Sequence, residues 1–261
     1  MRRIFLLAGY DNNLKVQDYV VYMAQKLAQL GEVYYWANGK MPPDELFKIA
    51  PYTRRLYTKA HQWRDFGSWH FLIKEIGWEK LAGYDEVIFC NDSVYGPFFD
   101  LRQIFSQMER KGYDFWSMTA DYEYKYHLHR YFMVFTNDVV KNAKFQAFWD
   151  NIENCANLQN CEYELSELLA EQGFIGNSYI RSYKQTNILQ DSDKLLSEYP
   201  VPFVKTKSFL PENEYTAGSG FGLRCKIRLR TDYDTALINR HIAAGHYPQT
   251  LGQRFASFSG V

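Results

Sequence analysis

The amino-terminal part of the chain alternates between two hydrophobic periodicities, and this alternation restricts the possible folds more than any other feature of the sequence. Residues 3–9 form an almost continuous apolar run, residues 14–30 carry apolar side chains at helical spacing, and residues 32–37 are again mostly apolar. A strand, a helix and a second strand in this order are typical of a parallel sheet, because parallel strands need a long crossover connection. The sequence therefore predicts an α/β fold.

The same alternation continues along the chain, without an internal repeat or a low-complexity linker. We predict further strands at residues 86–90, 115–119 and 131–136, and further helices at residues 44–50, 68–81, 101–110, 139–149 and 163–172. The later part of the chain is less regular, with several prolines and a glycine-rich segment at 217–222. For 261 residues, one α/β domain (1–261) with an irregular C-terminal extension is the simplest organisation.

Charge and apolar content exclude several classes of protein. The 30 basic residues are balanced by 30 acidic ones, and because a dominant nucleic-acid role needs a surplus of cations, we expect no nucleic-acid partner. No apolar run approaches the roughly 20 residues of a membrane span, and the N-terminal apolar run is too short for a signal peptide. We therefore expect a cytoplasmic protein with reduced thiols, and the spacing of Cys155 and Cys161 matches no zinc pattern.

Polar side chains follow the buried strand that is predicted at residues 86–90. Asn91, Asp92 and Ser93 come directly after it, at the carboxyl end where open α/β sheets bind their ligands. Asp92 could hold a divalent cation through oxygen, and such a cation can bridge two phosphates. An Asx turn would use the same residue types, so this segment alone leaves both interpretations open.

A second candidate segment, Asp65-Phe66-Gly67-Ser68-Trp69, stands at the entry to a predicted helix. Its backbone amides could receive a phosphate, and the Asp65 carboxylate could accept a hydrogen bond from a ribose or sugar hydroxyl. A simple helix cap by Asp65 or Ser68 is the alternative. Neither segment is decisive without the other.

Taken together, the motifs of this chain resemble one known family. Residues 65–69, 91–97, 114–116 and 127–135 occur in the order and spacing of rhamnan synthesis F proteins, which are bacterial glycosyltransferases that build rhamnose-containing and related surface polysaccharides. The resemblance extends to residues 145–149, 163–164, 172–174, 202–205 and 232–234. Two positions depart from the family pattern: His129-Arg130 stands in place of the usual Gln-Ser, and a single Asp92 stands in place of a plain Asp-x-Asp.

The resemblance implies a GT-A-like (Rossmann-like) fold, with a mostly parallel sheet and flanking helices. It also implies a nucleotide-sugar donor (a dTDP- or UDP-sugar) bound by residues 1–120, and a glycan or lipid-linked acceptor bound by residues 121–261. A divalent cation, Mg²⁺ or Mn²⁺, held by Asp92 would neutralise the leaving diphosphate. The donor-binding candidates are Tyr10, Asp11, Asp65, Ser68, Trp69, Asn91, Asp92 and Ser93.

The resemblance assigns the chemistry on the acceptor side as well. We expect transfer of rhamnose or a related hexose with inversion, which needs a carboxylate to take the proton of the acceptor hydroxyl. Glu164, in the helix that follows Cys161, is the first candidate for this base, and Asp121 is the second. The acceptor-binding candidates in the same part of the chain are His127, His129 and Tyr131.

Residues 223–230 alternate apolar and cationic side chains, which predicts a strand with four cations on one face: Arg224, Lys226, Arg228 and Arg230. Such a face could bind the diphosphate of a lipid-linked acceptor, or the anionic membrane that carries it. The protein would then make a peripheral contact at the inner face of the membrane. An edge strand whose charges deter aggregation is the alternative.

Two other classes of protein compete with a glycosyltransferase. A catalytically inactive carbohydrate-binding homologue would fit the aromatic content of 18% and the single Asp92. A nucleotidyltransferase would have a glycine-rich loop with Lys or Arg directly after the first strand, and residues 9–13 are not such a loop.

Overall fold

The computed structural model describes residues 1–121, 126–155, 160–180, 191–209 and 220–245. The strands in these ranges are β1 (Arg3–Gly9), β2 (Glu32–Ala37), β3 (Arg55–Thr58), β4 (Glu86–Asn91), β5 (Val94–Tyr95), β6 (Phe115–Ser117), β7 (Ala120–Asp121), β8 (His127–Leu128), β9 (Phe132–Thr136), β10 (Gly176–Ser178) and β11 (Val204–Lys205). The helices are α1 (Asp18–Ala28), α2 (Pro43–Ile49), α3 (Arg64–Ile76), α4 (Trp78–Leu81), α5 (Leu101–Glu109), α6 (Asn137–Lys141), α7 (Ala143–Asp150), α8 (Cys161–Glu171), α9 (Ser192–Glu198), α10 (Gly220–Arg230) and α11 (Ala236–Ala243).

A central sheet organises these elements, and within the described ranges its strand order is β10-β6-β9-β4-β1-β2-β3. The strand β1 runs parallel to β2 and β4, β2 runs parallel to β3, and β6 runs parallel to β10. Only β9 is antiparallel to its neighbours β4 and β6 in this sheet. The predicted α/β fold, with a mostly parallel sheet and flanking helices, is confirmed. The irregular C-terminal extension lies partly outside the described residues.

Helices cover both faces of the sheet, which explains why its central strands are apolar without polar alternation. Successive β1 side chains point to opposite faces. Phe5 and Leu7 pack in one hydrophobic cluster with Met23 of α1, whereas Leu6 packs in a second cluster with Trp69 of α3. The apolar runs of the sequence therefore correspond to strands that are buried on both sides.

The Trp69 side chain connects α3 to the two central strands, β1 and β4, through hydrogen bonds. Its indole N–H lies 3.0 Å from the carbonyl oxygen of Leu6 in β1 and 3.1 Å from that of Cys90 in β4. The ring is fully buried and packs against the rings of Phe89 and Trp149. The polar atom of this large buried side chain is therefore satisfied by the sheet itself.

Several element boundaries differ from the sequence-based prediction, each for a local reason. The helix predicted at 68–81 begins earlier, at Arg64, and Gly77 with φ 84° separates α3 from α4. Asn142 divides the helix predicted at 139–149 into α6 and α7, because its side chain accepts two hydrogen bonds from amides of the first α7 turn. The sequence did not predict β3, whose partly exposed residues form no apolar run.

The strand predicted at residues 223–230 is wrong, because these residues are part of α10. Leu223 and Ile227 are buried on one side of this helix, whereas Leu229 is 82% exposed. The two buried residues are four positions apart, and residues at this spacing share a face both in a strand and in a helix. The apolar pattern at these two positions was therefore compatible with either structure. No single strand face therefore carries the four cations Arg224, Lys226, Arg228 and Arg230.

Two of these cations fasten α10 to α9 instead. Lys226 Nζ lies 2.5 Å from Asp193 Oδ2, and the Arg230 guanidinium donates to the carbonyl oxygen of Leu196. The expected contacts with a lipid-linked acceptor and with a membrane depended on a strand face that carries four cations, and this face is not present in the structure. Among the described residues, no helix has the length and apolar content that crossing a membrane requires.

We predict that Trp69→Phe lowers the free energy of unfolding by about 2 to 4 kcal/mol, because it opens a cavity and leaves two carbonyls without this donor. Trp63→Phe is the matched control, since this ring is half-buried and its N–H donates to one carbonyl, that of Glu153, at 3.2 Å. The control should lose less than about 1 kcal/mol. Urea denaturation followed by circular dichroism measures both values. Equal losses would contradict the bridging role of Trp69.

Candidate active site

The ends of β1 and β4 meet at the carboxyl edge of the sheet, where they bring Tyr10 and Asp92 together. Ala8 pairs with Asn91 in the parallel register, and the Asp92 N–H donates to the Ala8 carbonyl oxygen at 3.1 Å. The Tyr10 N–H donates to Asp92 Oδ2 at 2.7 Å, and the Tyr19 hydroxyl donates to the Asp92 carbonyl at 2.8 Å. The Asp92 carboxylate is therefore held by backbone geometry, and Tyr10, which holds it through its N–H, is 57% exposed.

The electrostatics of the edge disfavour a negative charge on Asp92. This side chain is partly buried, and withdrawal from water raises the pKa of Asp92 to about 7. The Tyr10 N–H opposes the shift, whereas the nearby carboxylates of Asp11 and Asp65 add to it. A carboxylate that neighbouring negative charges destabilise is a suitable ligand for a divalent cation, so this position fits Mg²⁺ or Mn²⁺.

The Asp11 carboxylate accepts hydrogen bonds from several groups of the loop that follows β1. Its Oδ1 accepts hydrogen bonds from the backbone N–H of Asn13 at 2.8 Å and of Lys15 at 3.3 Å. Its Oδ2 accepts a hydrogen bond from Gln17 Nε2 at 2.7 Å. The buried carboxylate therefore shapes the loop before α1 and acts on Asp92 through its charge.

A chain of hydrogen bonds links Asp65 to three polar residues of the edge. Asp65 Oδ2 accepts from Asn91 Nδ2 and from Arg130 Nε, each at 2.8 Å. The Arg130 Nη1 in turn donates to Glu162 Oε2 at 2.8 Å, and the Arg130 backbone N–H donates to Glu162 Oε1 at 3.1 Å. Neither Arg130 nor Glu162 was among the site residues predicted from sequence, and Arg130 is at one of the positions that depart from the family pattern.

Lys205 supplies a positive charge beside Ser93, and Ser93 lies in the loop that follows β4. Its Nζ donates to Ser93 Oγ at 3.0 Å and lies 4.9 Å from the centroid of the Tyr131 ring. Burial lowers the pKa of Lys205 to about 8, and the neighbouring Arg130 contributes to this shift. The antiparallel pair of β11 with β5 positions this side chain, with Lys205 opposite Val94. The only sequence signal for it was its place in the family motif at residues 202–205.

The structure corrects two of the donor-binding assignments. Ser68 is buried inside α3, and its Oγ lies 3.1 Å from His61 Nε2. Trp69 is enclosed in the core between α3 and the sheet, as described above. Neither side chain presents a surface to a ligand, because the inward face of α3 packs on the strands.

The acceptor candidates His127, His129 and Tyr131 lie close together in the chain, and two of them contact Thr119. His129 Nδ1 and the Tyr131 hydroxyl lie 2.7 and 2.9 Å from Thr119 Oγ1, and His129 Nε2 lies 3.8 Å from Asp121 Oδ2. Burial lowers the pKa of His129, which keeps this ring neutral at pH 7. His127 is also buried, and its ring centroid lies 4.5 Å from that of Tyr163.

The two glutamates at the start of α8 face different surroundings. Glu162 bonds to Arg130, whereas Glu164 is exposed and lies beside the sulfur atoms of Cys155 and Cys161. Residues two positions apart on a helix point in nearly opposite directions, so only one of the pair can face the sheet edge. Glu164 was predicted as the base from its place at the start of the helix, and a position in sequence does not give the direction of the side chain.

We predict that Asp92→Asn stabilises the fold at pH 8, by about 1 to 2 kcal/mol after allowance for solvent screening. The folded chain holds the Asp92 proton up to about pH 7, whereas an unfolded carboxyl loses it near pH ~4, so the wild type loses stability as pH rises through this window. Urea denaturation at pH 8 and at pH 4 measures the gain, which should vanish at the lower pH. Asp11→Asn is the control and should destabilise, because Gln17 loses its acceptor.

Solved structures that match the chain do so at low identity. The glycosyltransferase GlyE of Streptococcus pneumoniae TIGR4 is 12% identical with a TM-score of 0.47, over 95% of this chain and 65% of GlyE. A cytidylyltransferase of Leptospira borgpetersenii is 11% identical with a TM-score of 0.40, over 89% of this chain and 99% of that enzyme. No curated protein sequence matches the chain.

The family comparison covers most of the molecule. Residues 33–257 match the sequence profile of rhamnan synthesis protein F, the family that the motifs resemble. The matched range includes Asp65, Asp92 and Lys205, which the fold brings to one edge of the sheet. On this match, the protein belongs to the rhamnan synthesis protein F family.

Proposed function

We propose that this protein is a glycosyltransferase that moves a sugar, rhamnose or a related hexose, from a nucleotide-sugar donor to a growing bacterial surface polysaccharide or a lipid-linked glycan. The observation that carries the proposal is the placement of two charged groups at adjacent residues after β4: the Asp92 carboxylate accepts a hydrogen bond from the Tyr10 N–H, and the Lys205 ammonium donates to Ser93 Oγ. Family membership supports glycosyl transfer, and the mostly parallel sheet agrees with a GT-A-like fold.

The donor would lie along this edge with its diphosphate near Asp92 and Lys205. The exposed Tyr10 side chain offers an aromatic face on which a nucleobase can stack, and the backbone N–H of the same residue donates to the Asp92 carboxylate. A Mg²⁺ or Mn²⁺ ion bound by Asp92 would neutralise part of the diphosphate charge. Lys205 comes from the second part of the chain, so the donor site would extend beyond residues 1–120, which are proposed as the donor half.

The reaction breaks the bond between the anomeric carbon and the diphosphate oxygen, and it forms a bond from that carbon to the acceptor oxygen. The electron pair leaves with the nucleoside diphosphate, whose added charge the Lys205 ammonium can stabilise. The proton of the acceptor hydroxyl passes to a carboxylate if the configuration inverts. We infer that Asp121 is the better placed base, since it follows β6 at the same sheet edge, whereas Glu164 is exposed beside two thiols.

A carbohydrate-binding homologue without activity is the second candidate. Two other carboxylates lie near Asp92, but both already accept hydrogen bonds. Asp11 accepts from residues of its own loop, and Asp65 accepts from Asn91 and Arg130. Of these three carboxylates, only that of Asp92 is then left to bind a cation. Such a protein would be stabilised by a glycan and not by nucleotides. A thermal-shift comparison of both ligand types separates the two functions, because only a ligand of the folded state raises the melting temperature.

We predict that Asp92→Ala and Lys205→Met each reduce turnover of a dTDP- or UDP-sugar by about 10² to 10³. Asp92→Ala removes the ligand of the cation that would neutralise the leaving diphosphate, and Lys205→Met removes a positive charge beside it. Release of nucleoside diphosphate, with and without Mn²⁺, measures this loss. Asp44→Ala, at an exposed carboxylate in the first turn of α2, is the control and should keep the wild-type rate. Wild-type turnover by Asp92→Ala would overturn the assignment of this edge as the donor site.

We predict that Asp121→Asn keeps donor affinity and loses transfer to the acceptor, because the isosteric amide removes only the proton acceptor. Glu164→Gln should retain transfer. Binding of the nucleoside diphosphate by calorimetry and single-turnover transfer to a glycan acceptor measure the two properties separately. The opposite result, with transfer lost only in Glu164→Gln, would return the role of base to Glu164.

A further inference from the structure

Away from the sheet edge, three potential metal ligands lie together at the start of α8. Cys155 follows the 3-10 turn Ile152–Asn154, Cys161 is the first residue of α8, and Glu164 lies one turn further along this helix. The two sulfur atoms and one carboxylate oxygen all lie within 4.8 Å of one another. The structure forms no disulfide between these two cysteines.

The local structure explains why these atoms converge. Residues at positions i and i+3 share a helix face, so the first turn of α8 presents Cys161 and Glu164 on the same side. Cys155 completes the group from the preceding segment, where it packs against the hydrophobic cluster that contains Cys161. Because Cys161 is buried, Cys155 is half-buried and Glu164 is exposed, an ion can reach the group from solvent.

The donor set and its dimensions fit zinc. In a tetrahedral zinc site with Zn–S near 2.3 Å and Zn–O near 2.0 to 2.2 Å, the ligand atoms lie about 3.3 to 3.8 Å apart. The three atoms lie within 4.8 Å of one another, so side-chain rotations that move them by about 1 Å would bring them to that geometry. Two thiolates and a carboxylate favour Zn²⁺, whereas the oxygen ligand at Asp92 suits Mg²⁺ or Mn²⁺.

We propose that Cys155, Cys161 and Glu164 form a zinc site, with water as the fourth ligand. Binding exchanges two thiol protons for one Zn²⁺ ion and leaves the oxidation state of sulfur unchanged. The spacing of the two cysteines alone matches no zinc pattern, because the third ligand is a glutamate that the helix brings to them. This inference does not depend on the proposed transfer reaction.

The site would also fix the start of α8 relative to the segment before it. Glu162 is the residue after Cys161, and its carboxylate holds Arg130, which in turn holds Asp65. A zinc ion that joins Cys155 to Cys161 would therefore limit movement at one end of this chain of hydrogen bonds. The proposed site would thus affect the position of α8, and its three ligands lie outside the candidate active site.

The test uses the full chain, stripped of metal and kept in a non-thiol reducing agent, and titrated with Co²⁺ and then with Zn²⁺. We expect one equivalent of Co²⁺ to produce sulfur-to-cobalt charge-transfer absorption, and one equivalent of Zn²⁺ to abolish it. Cys155→Ser and Cys161→Ser should remove this absorption, and Glu164→Gln should weaken affinity by at least about tenfold. Cys225→Ser, at a half-buried thiol in α10, and Asp92→Asn are controls that should retain it.

Cys161 is buried, so Cys161→Ser could affect folding, and Cys155→Ser at the half-buried position provides the second, milder variant. Far-ultraviolet circular dichroism of each variant verifies that it is folded. The proposal is overturned if the wild-type chain gives no sulfur-to-cobalt absorption, or if folded Cys155→Ser retains it at full intensity. Loss of the signal in Asp92→Asn or Cys225→Ser instead would place the metal elsewhere.

Discussion

The parallel pairing of β1 with β4 is the constraint on which the rest of the structure depends. Both strands are buried on both faces, and their register ends with Ala8 opposite Asn91. A slip of one residue would turn every core side chain to the wrong face, so burial of the whole core fixes this register. The same register sets the Tyr10 N–H against the Asp92 carboxylate. The geometry of the candidate site is thus a consequence of core packing.

Charges at the sheet edge are arranged in two ways. Arg130 forms ion pairs with both Asp65 and Glu162, so each of these three charges has an oppositely charged partner in direct contact, which favours a fixed arrangement. Asp92 instead accepts a hydrogen bond from a backbone amide, and Lys205 donates to a hydroxyl. Because these partners are neutral, burial shifts the pKa of both groups toward neutrality. A bound diphosphate with its cation would provide charged partners for both of these groups.

The first turn of α8 directs two glutamate side chains into different surroundings. Glu162 points to Arg130 at the sheet edge, and Glu164 points to the thiols of Cys155 and Cys161. The separation follows from helical geometry, since residues two apart lie about 200° from each other around the axis. Oxygen-rich surroundings and thiol-rich surroundings thus lie close together and would select different metal ions.

The sequence by itself determined the α/β class, five of the seven described strands of the central sheet, and the position of Asp92 at a carboxyl end, because hydrophobic periodicity and turn-forming residues are local signals. Family motifs added the relation to rhamnan synthesis protein F. Local pattern could not separate helix from strand at residues 223–230, where a spacing of four residues fits both. Only the tertiary structure decided that Trp69 is buried against the sheet and that Lys205 reaches Ser93, 112 residues away in sequence. The physical reason is that side-chain direction and long-range contact depend on how the elements pack, and periodicity carries no information about which distant element will be the partner.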